Sequence, residues 1–311
     1  MRDPREMYQV EEDVAAELGL RSGSGEGPVM LHVLEGFVDA GEAGAGVVAH
    51  LAERFGATRL ATFEVDELVD YRARRPVMTF DSTRWTAYDA PHLALDVVRD
   101  AEGVPFLLLH GSEPDVQWER YVAAVTQLVE RFGVRLTVGV NGVPMGVPHT
   151  RPVGMTVHGT RTELVADHPS WFGRVQVPGS AAALLELRLG ELGHDAVGVA
   201  VHVPHYLAQS AYPQASVAAL DLLERRTGLQ LDPAVLEPVV RAAASEVERQ
   251  VGESAEVAAV VAALEEQYDS FTRAIGRTNL LAESTDLPTA EELGAEFERF
   301  LAQQEGPGRP S

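Results

Sequence analysis

Short apolar runs separated by helical periodicity constrain this chain more than any other feature. Val29–Leu34, Val104–His110, Arg135–Val140 and Ala196–Val203 carry apolar side chains on both faces of an extended segment, and Leu60–Val65 alternates. A strand that is apolar on both faces has to be covered on both, which is the condition of a parallel sheet in an α/β protein. Between these runs the period changes to that of a helix. Gly44, Val47, Val48, Leu51 and Phe55 share one helical face, as do Trp118, Tyr121, Val122, Val125, Leu128, Val129 and Phe132. Ala181–Leu192 and Val217–Arg226 read as two more helices, and Met155–His158 as a further short strand. The fold class is therefore α/β, with a mostly parallel sheet covered by helices.

The pattern changes after residue 230. Val235, Leu236, Val239, Val240, Ala243, Val247 and Val251 lie at helical spacing. So do Val257, Val260, Val261, Leu264, Tyr268, Phe271 and Ile275, while Leu293, Phe297, Phe300 and Leu301 suggest a third helix. No strand-like run separates them. The expected organisation is an N-terminal segment over 1–28, an α/β core over 29–230, a helical C-terminal extension over 231–303, and a disordered Gly/Pro tail over 304–311. Within the first segment, Val10, Val14 and Leu18 suggest a short helix ahead of the turn cluster Ser22–Gly25.

Composition closes several routes. The 47 acidic residues outnumber the 25 basic ones, for a formal net charge of −22, which repels phosphate backbones and argues against nucleic-acid binding. Every basic residue is Arg. The missing Lys excludes a Schiff-base lysine and a lysine on ATP phosphates, and the missing Cys excludes disulfides, thiol nucleophiles and thiolate metal sites. No apolar run is long enough to span a membrane, and the charged N-terminus lacks a signal-peptide core, so a cytoplasmic protein without membrane contact is expected.

Ligands of open α/β sheets bind outside the carboxyl ends of the strands. Glu35, His110, Asn141 and His205 stand at those ends, and the topology gathers them at one edge. Two Pro-His junctions, Pro148-His149 and Pro204-His205-Tyr206, place imidazoles on stiff loops there. Arg151 has the fork that binds a carboxylate or phosphate, or pairs with one of the chain's own acids. His149, His205 and Arg151 are the catalytic candidates, with the two histidines as acid and base. Glu35, Asp39, His110, Asn141 and Tyr206 complete the expected binding set. Asp39 is placed to cap the following helix with its own carboxylate. Gly44-Ala45-Gly46-Val47-Val48-Ala49 fits a dinucleotide fingerprint, but the preceding strand ends near Glu35, too early for the glycines to form the turn. Close helix packing is the better account. His110, His149, His158, His202 and His205 show no metal-ligand spacing. Neither a metal nor a cofactor is expected, and no serine lies in a nucleophile-elbow context.

Four segments together resemble a known family: Glu35-Gly36-Phe37-Val38-Asp39-Ala40-Gly41, Asp70-Tyr71-Arg72-Ala73-Arg74-Arg75-Pro76, Pro148-His149-Thr150-Arg151-Pro152 and Pro204-His205-Tyr206-Leu207. In this order they look like an actinobacterial member of the proteasome assembly chaperone family, of the type related to the second subunit of the eukaryotic pair. The resemblance covers residues 28–275. It implies a three-layer α/β/α core like that of nucleoside phosphorylases, a helical C-terminal extension and homo-oligomers. It also implies a non-catalytic role in binding protein partners such as proteasome subunits. The alternative is an enzyme acting on a small anionic or nucleoside-like ligand at the C-terminal edge of the sheet.

Overall fold

A computed structural model of the chain describes residues 2–17, 27–36, 38–168 and 174–280, with side chains up to residue 273. The Ser22–Gly25 cluster, Phe37, the helix expected around Leu293–Leu301 and the tail over 304–311 lie outside the described residues. In chain order the elements are β1 (Tyr8–Val10), α1 (Glu12–Glu17), β2 (Val29–Glu35), α2 (Ala43–Phe55), β3 (Thr58–Phe63), β4 (Met78–Asp81), β5 (Arg84–Tyr88), β6 (Leu93–Arg99), β7 (Pro105–Ser112), α3 (Trp118–Phe132), β8 (Leu136–Met145), β9 (Met155–Gly159), α4 (Ala181–Glu191), β10 (Ala196–Pro204), α5 (Pro213–Thr227), α6 (Glu237–Glu253) and α7 (Ala255–Leu280).

The main sheet has eight strands in the order β1-β3-β6-β7-β2-β8-β10-β9. Its centre, β7-β2-β8-β10, is parallel, and five of the eight strands point the same way. These are the continuously apolar runs, as the burial argument requires. The flanks are antiparallel, and of their pairs β6–β7 is joined by a short connection. Between β6 and β7 the Asp100 carboxylate accepts from the Glu102 and Val104 backbone N–H groups at 3.0 and 2.8 Å, closing a tight turn. The residues before 28 also join the sheet: β1 pairs with β3, and Met7 beside it is fully buried.

Side-chain alternation divides the core into two clusters. Leu31, Val33, Leu108, Val138, Val140, Val199 and Val201 face α2 and α5. Met30, Leu107, Leu109 and Leu95 face α3 and α4. The helix ends follow from sequence. Pro213 opens α5 in its first turn, and Gly228 ends it at φ 79, a left-handed conformation that suits glycine. The glycines of the Gly44–Ala49 stretch lie inside α2 and not in the turn after β2. A Cβ on Gly44 would stand 2.8 Å from Val33 Cγ1, and one on Gly46 would stand 2.2 Å from Ser216 Oγ. Close packing against the sheet and α5 is what they serve.

Two parts lie outside the three layers. β4 and β5 form a separate two-stranded hairpin whose residues are all exposed. α6 and α7 follow the α/β body as a helical pair broken at Ser254, whose hydroxyl accepts from the Val257 backbone N–H and so starts the second helix. No described helix is long and apolar enough to cross a membrane.

Candidate functional site

The strand ends hold most of the residues singled out above, and their partners differ. Asp39 lies in the turn between β2 and α2. Its Oδ1 accepts from the backbone N–H of Gly44 and of Gly142, both at 2.8 Å, and its Oδ2 from that of Ala45 at 2.9 Å. The helix N-terminus is thus filled by the chain's own carboxylate, which also ties α2 to β8. The backbone carbonyl of Glu35 accepts from Arg74 Nη1 at 2.9 Å, and Arg74 reaches Asp115 Oδ1 at 2.8 Å and the carbonyl of Glu113. The segment Asp70–Pro76 is thereby stapled across the ends of β2 and β7.

His149 and Tyr206 meet. The Tyr206 hydroxyl accepts from the His149 backbone N–H at 2.9 Å and lies 2.7 Å from its Nδ1. The His205 ring packs edge-on against Tyr206, with centroids 5.4 Å apart. Burial lowers the His149 imidazole below its ordinary value, with Glu248 and Glu265 opposing. Arg151, two residues on, faces the helical extension. Its Nε and Nη2 each donate at 2.8 Å to the two oxygens of Asp269, and its Nη1 lies 3.3 Å from Glu265. An anion at Arg151 would have to displace both carboxylates. His110 belongs to a different cluster: its Nε2 lies 2.8 Å from Asp96 Oδ2, and Asp96 Oδ1 accepts from Arg59 Nε. Burial alone would raise Asp96, but His110 and Arg59 outweigh it and hold the carboxyl below its ordinary range.

A second cluster escapes sequence reading. A cavity of about 120 Å³ lies beneath α4 on the α3/α4 face of the sheet, and Asn141 is the one expected binding residue that lines it. Its floor is a row in strict register across four strands: His32 of β2 stands opposite Gly139 of β8, which stands opposite Gly198 of β10, which stands opposite His158 of β9. The two glycines make room for the two rings. A Cβ at 139 would stand 2.5 Å from His32 Cε1 and 2.7 Å from its Nε2. One at 198 would stand 2.0 Å from His158 Cε1 and 2.6 Å from its Nε2. Each imidazole therefore leans over its neighbouring glycine, towards the other.

The two rings have opposite surroundings. His32 is 4% exposed, and among the described residues its ring has no hydrogen-bond partner. Burial lowers its pKa to about 4, so it is neutral at pH 7. The His158 side chain is 52% exposed, and its Nδ1 lies 2.8 Å from Glu186 Oε1 of α4. That hydrogen bond raises its pKa against the effect of burial. At the inner end Glu113 Oε1 accepts from the Ala181 N–H at the start of α4. One signal in the sequence points here: Gly139 and Gly198 interrupt strand interiors, which marks a close approach by another group. Among the described residues no group of three or more His, Asp or Glu side chains could hold a metal ion.

Comparison with known proteins follows the same outline. The PAC2 family matches residues 33–253. A Mycobacterium tuberculosis protein of unknown function is 48% identical, with 96% of each chain covered and a TM-score of 0.84. A Corynebacterium glutamicum protein of unknown function is 40% identical over 85% of this chain and 97% of that one, with a TM-score of 0.77. A proteasome-assembly chaperone homologue of Mycobacterium tuberculosis, 24% identical over 75% of this chain and 99% of its own, shares the fold with a TM-score of 0.69. None of the curated proteins matches.

Proposed function

The chain belongs to the PAC2 family, and from that premise we propose that it is a non-catalytic protein-binding member, a cytoplasmic homo-oligomer that helps assemble a larger complex. Proteasome subunits are the partner we propose, in line with the description of its Mycobacterium tuberculosis relative as a proteasome-assembly chaperone homologue. The observation that carries the binding role is the β4–β5 hairpin. Trp85 is 61% exposed and Phe80 53%, and Met78, Val77 and Tyr88 are exposed beside them. Phe80 and Trp85 meet edge-on with centroids 5.0 Å apart. A contiguous exposed apolar surface of this kind marks an interaction site, and aromatic and Met side chains are those that interface centres favour.

The test is binding of purified proteasome subunits from the source organism to the wild-type chain and to Trp85→Ser, read by light scattering and calorimetry. Wild type should bind, and Trp85→Ser should bind about tenfold or more weakly, since a central Trp anchor is worth at least that much. An unchanged melting temperature in the variant would show that the fold is intact. No binding by wild type, or equal binding by the variant, would refute the reading.

A second reading, an enzyme acting on a small anionic or nucleoside-like ligand at the strand ends, is favoured by the meeting of His149, His205 and Tyr206. The commitment of Arg151 to Asp269 and Glu265 weighs against it.

A further inference from the structure

We infer that the cavity beneath α4 binds a small neutral alcohol or polyol, holding one of its hydroxyls between His32 and His158. The row His32–Gly139–Gly198–His158 fixes the geometry. Each ring lies over its neighbouring glycine, with Glu186 Oε2 also over Gly198, and the two glycines are one strand spacing apart, roughly 5 Å. One oxygen fits between two nitrogens at that separation, each at hydrogen-bond distance.

The chemistry of the two rings matches a hydroxyl, which donates one hydrogen bond and accepts others. His158 directs its Nδ1 to Glu186, which leaves Nε2 for a ligand. His32 is neutral, with one donor and one acceptor nitrogen, so a hydroxyl can complement either ring. His32 is buried, lines the cavity and has no hydrogen-bond partner among the described residues, so its ring is open to a ligand hydroxyl in the cavity.

Charge and size narrow the class further. The Glu186 carboxylate lies against His158 Nδ1, and the Glu113 carboxylate sits at the inner wall. An anion would face two carboxylates, and both carboxylates already accept hydrogen bonds within the chain, from His158 and from the Ala181 N–H, so a neutral ligand is preferred. About 120 Å³ is well below the several hundred of a drug-sized pocket and close to the roughly 150 Å³ that holds one benzene ring, which sets the limit at about six heavy atoms. The open side past His158 provides the entry, and the buried His32 is the far wall.

The test uses the full chain with ¹⁵N-labelled imidazoles and follows the ring nitrogens by NMR. Glycerol is the probe, and 1,2-dimethoxyethane, with the same number of heavy atoms and no hydroxyl, is the control. Glycerol should shift the His32 and His158 signals saturably, and the control should not. His158→Phe, at a half-exposed position, should weaken glycerol binding about fivefold, as expected for a lost hydrogen bond. Glu186→Gln leaves the ring in place but removes the carboxylate that orients it through Nδ1. It should also weaken binding, and it carries the comparison if His158→Phe does not fold. Glycerol without a saturable shift, an equal shift with the control, or variants that bind like wild type would each overturn the inference. None of these outcomes bears on binding of proteasome subunits through the hairpin.

Discussion

The parallel centre of the sheet and the α6–α7 pair are both built from apolar residues at regular spacing, yet they are held in opposite ways. In β2 five consecutive residues are buried, and β7 and β8 each carry similar runs. In the seventeen residues of α6 none is buried, and Val239, Val257 and Val260 remain exposed on the pair. α7 buries Val261, and its polar ties to the body come from one loop: Arg151 to Asp269 and Glu265, and Thr150 to Glu265. Periodicity alone gives the element, and coverage on both sides decides whether the element is a core. The centre is held by burial on both faces, the pair by slight burial at Val261 and by ion pairs.

The largest test of this contrast is Leu108→Ala. Leu108 is 1% exposed in the cluster under α2, and truncation there should destabilise the fold by about 2–5 kcal/mol in urea denaturation. A loss below about 1 kcal/mol would deny that burial holds the centre.

Acid probes the same region through His32. Its folded pKa, about 4, is depressed below the ordinary histidine value of 6.5. Between these values the unfolded chain binds the proton more readily, so stability is fully present above pH 6.5 and is lost as pH falls towards 4. The loss should approach about 3 kcal/mol at roughly 1.4 kcal/mol per pKa unit. His32→Leu cannot titrate and should flatten that part of the curve. An equally steep curve in the variant would place the acid sensitivity elsewhere.

The smallest effect on global stability is expected from Arg151→Ala. The midpoint of cooperative unfolding should not move, because exposed ion pairs contribute little to it. Hydrogen exchange should quicken several-fold in α7 around Glu265 and Asp269, and high salt should produce the same change in wild type by screening. A drop in the midpoint would show that the helical pair shares in the core after all.

The contrast also explains what could be read from sequence. The four central strands and the helices between them are legible because each carries its own periodicity, and observed ends lie within a few residues of those expected. β6 is not, because Asp96 breaks its apolar run for the sake of His110 and Arg59, partners on other strands. The β4–β5 hairpin faces no core, so nothing imposes a burial pattern on it. At the site, the meeting of His149 with Tyr206 was prepared by two Pro-His junctions on neighbouring strand ends. The cavity was not foreseeable in the same way. His32 sits inside an apolar strand, and only the register of β2, β8, β10 and β9 sets it opposite two glycines and a second histidine.

The order of the strands carries one more consequence. The sheet is bounded by β1, three residues long, and β9, five residues long, both antiparallel to their neighbours. Open strand edges are templates on which another chain can add itself, and short ones offer little ladder to extend. Copies of this molecule therefore have little incentive to polymerise backbone to backbone. A contact between copies would fall to side chains, where partners can be told apart and complexes can come to an end.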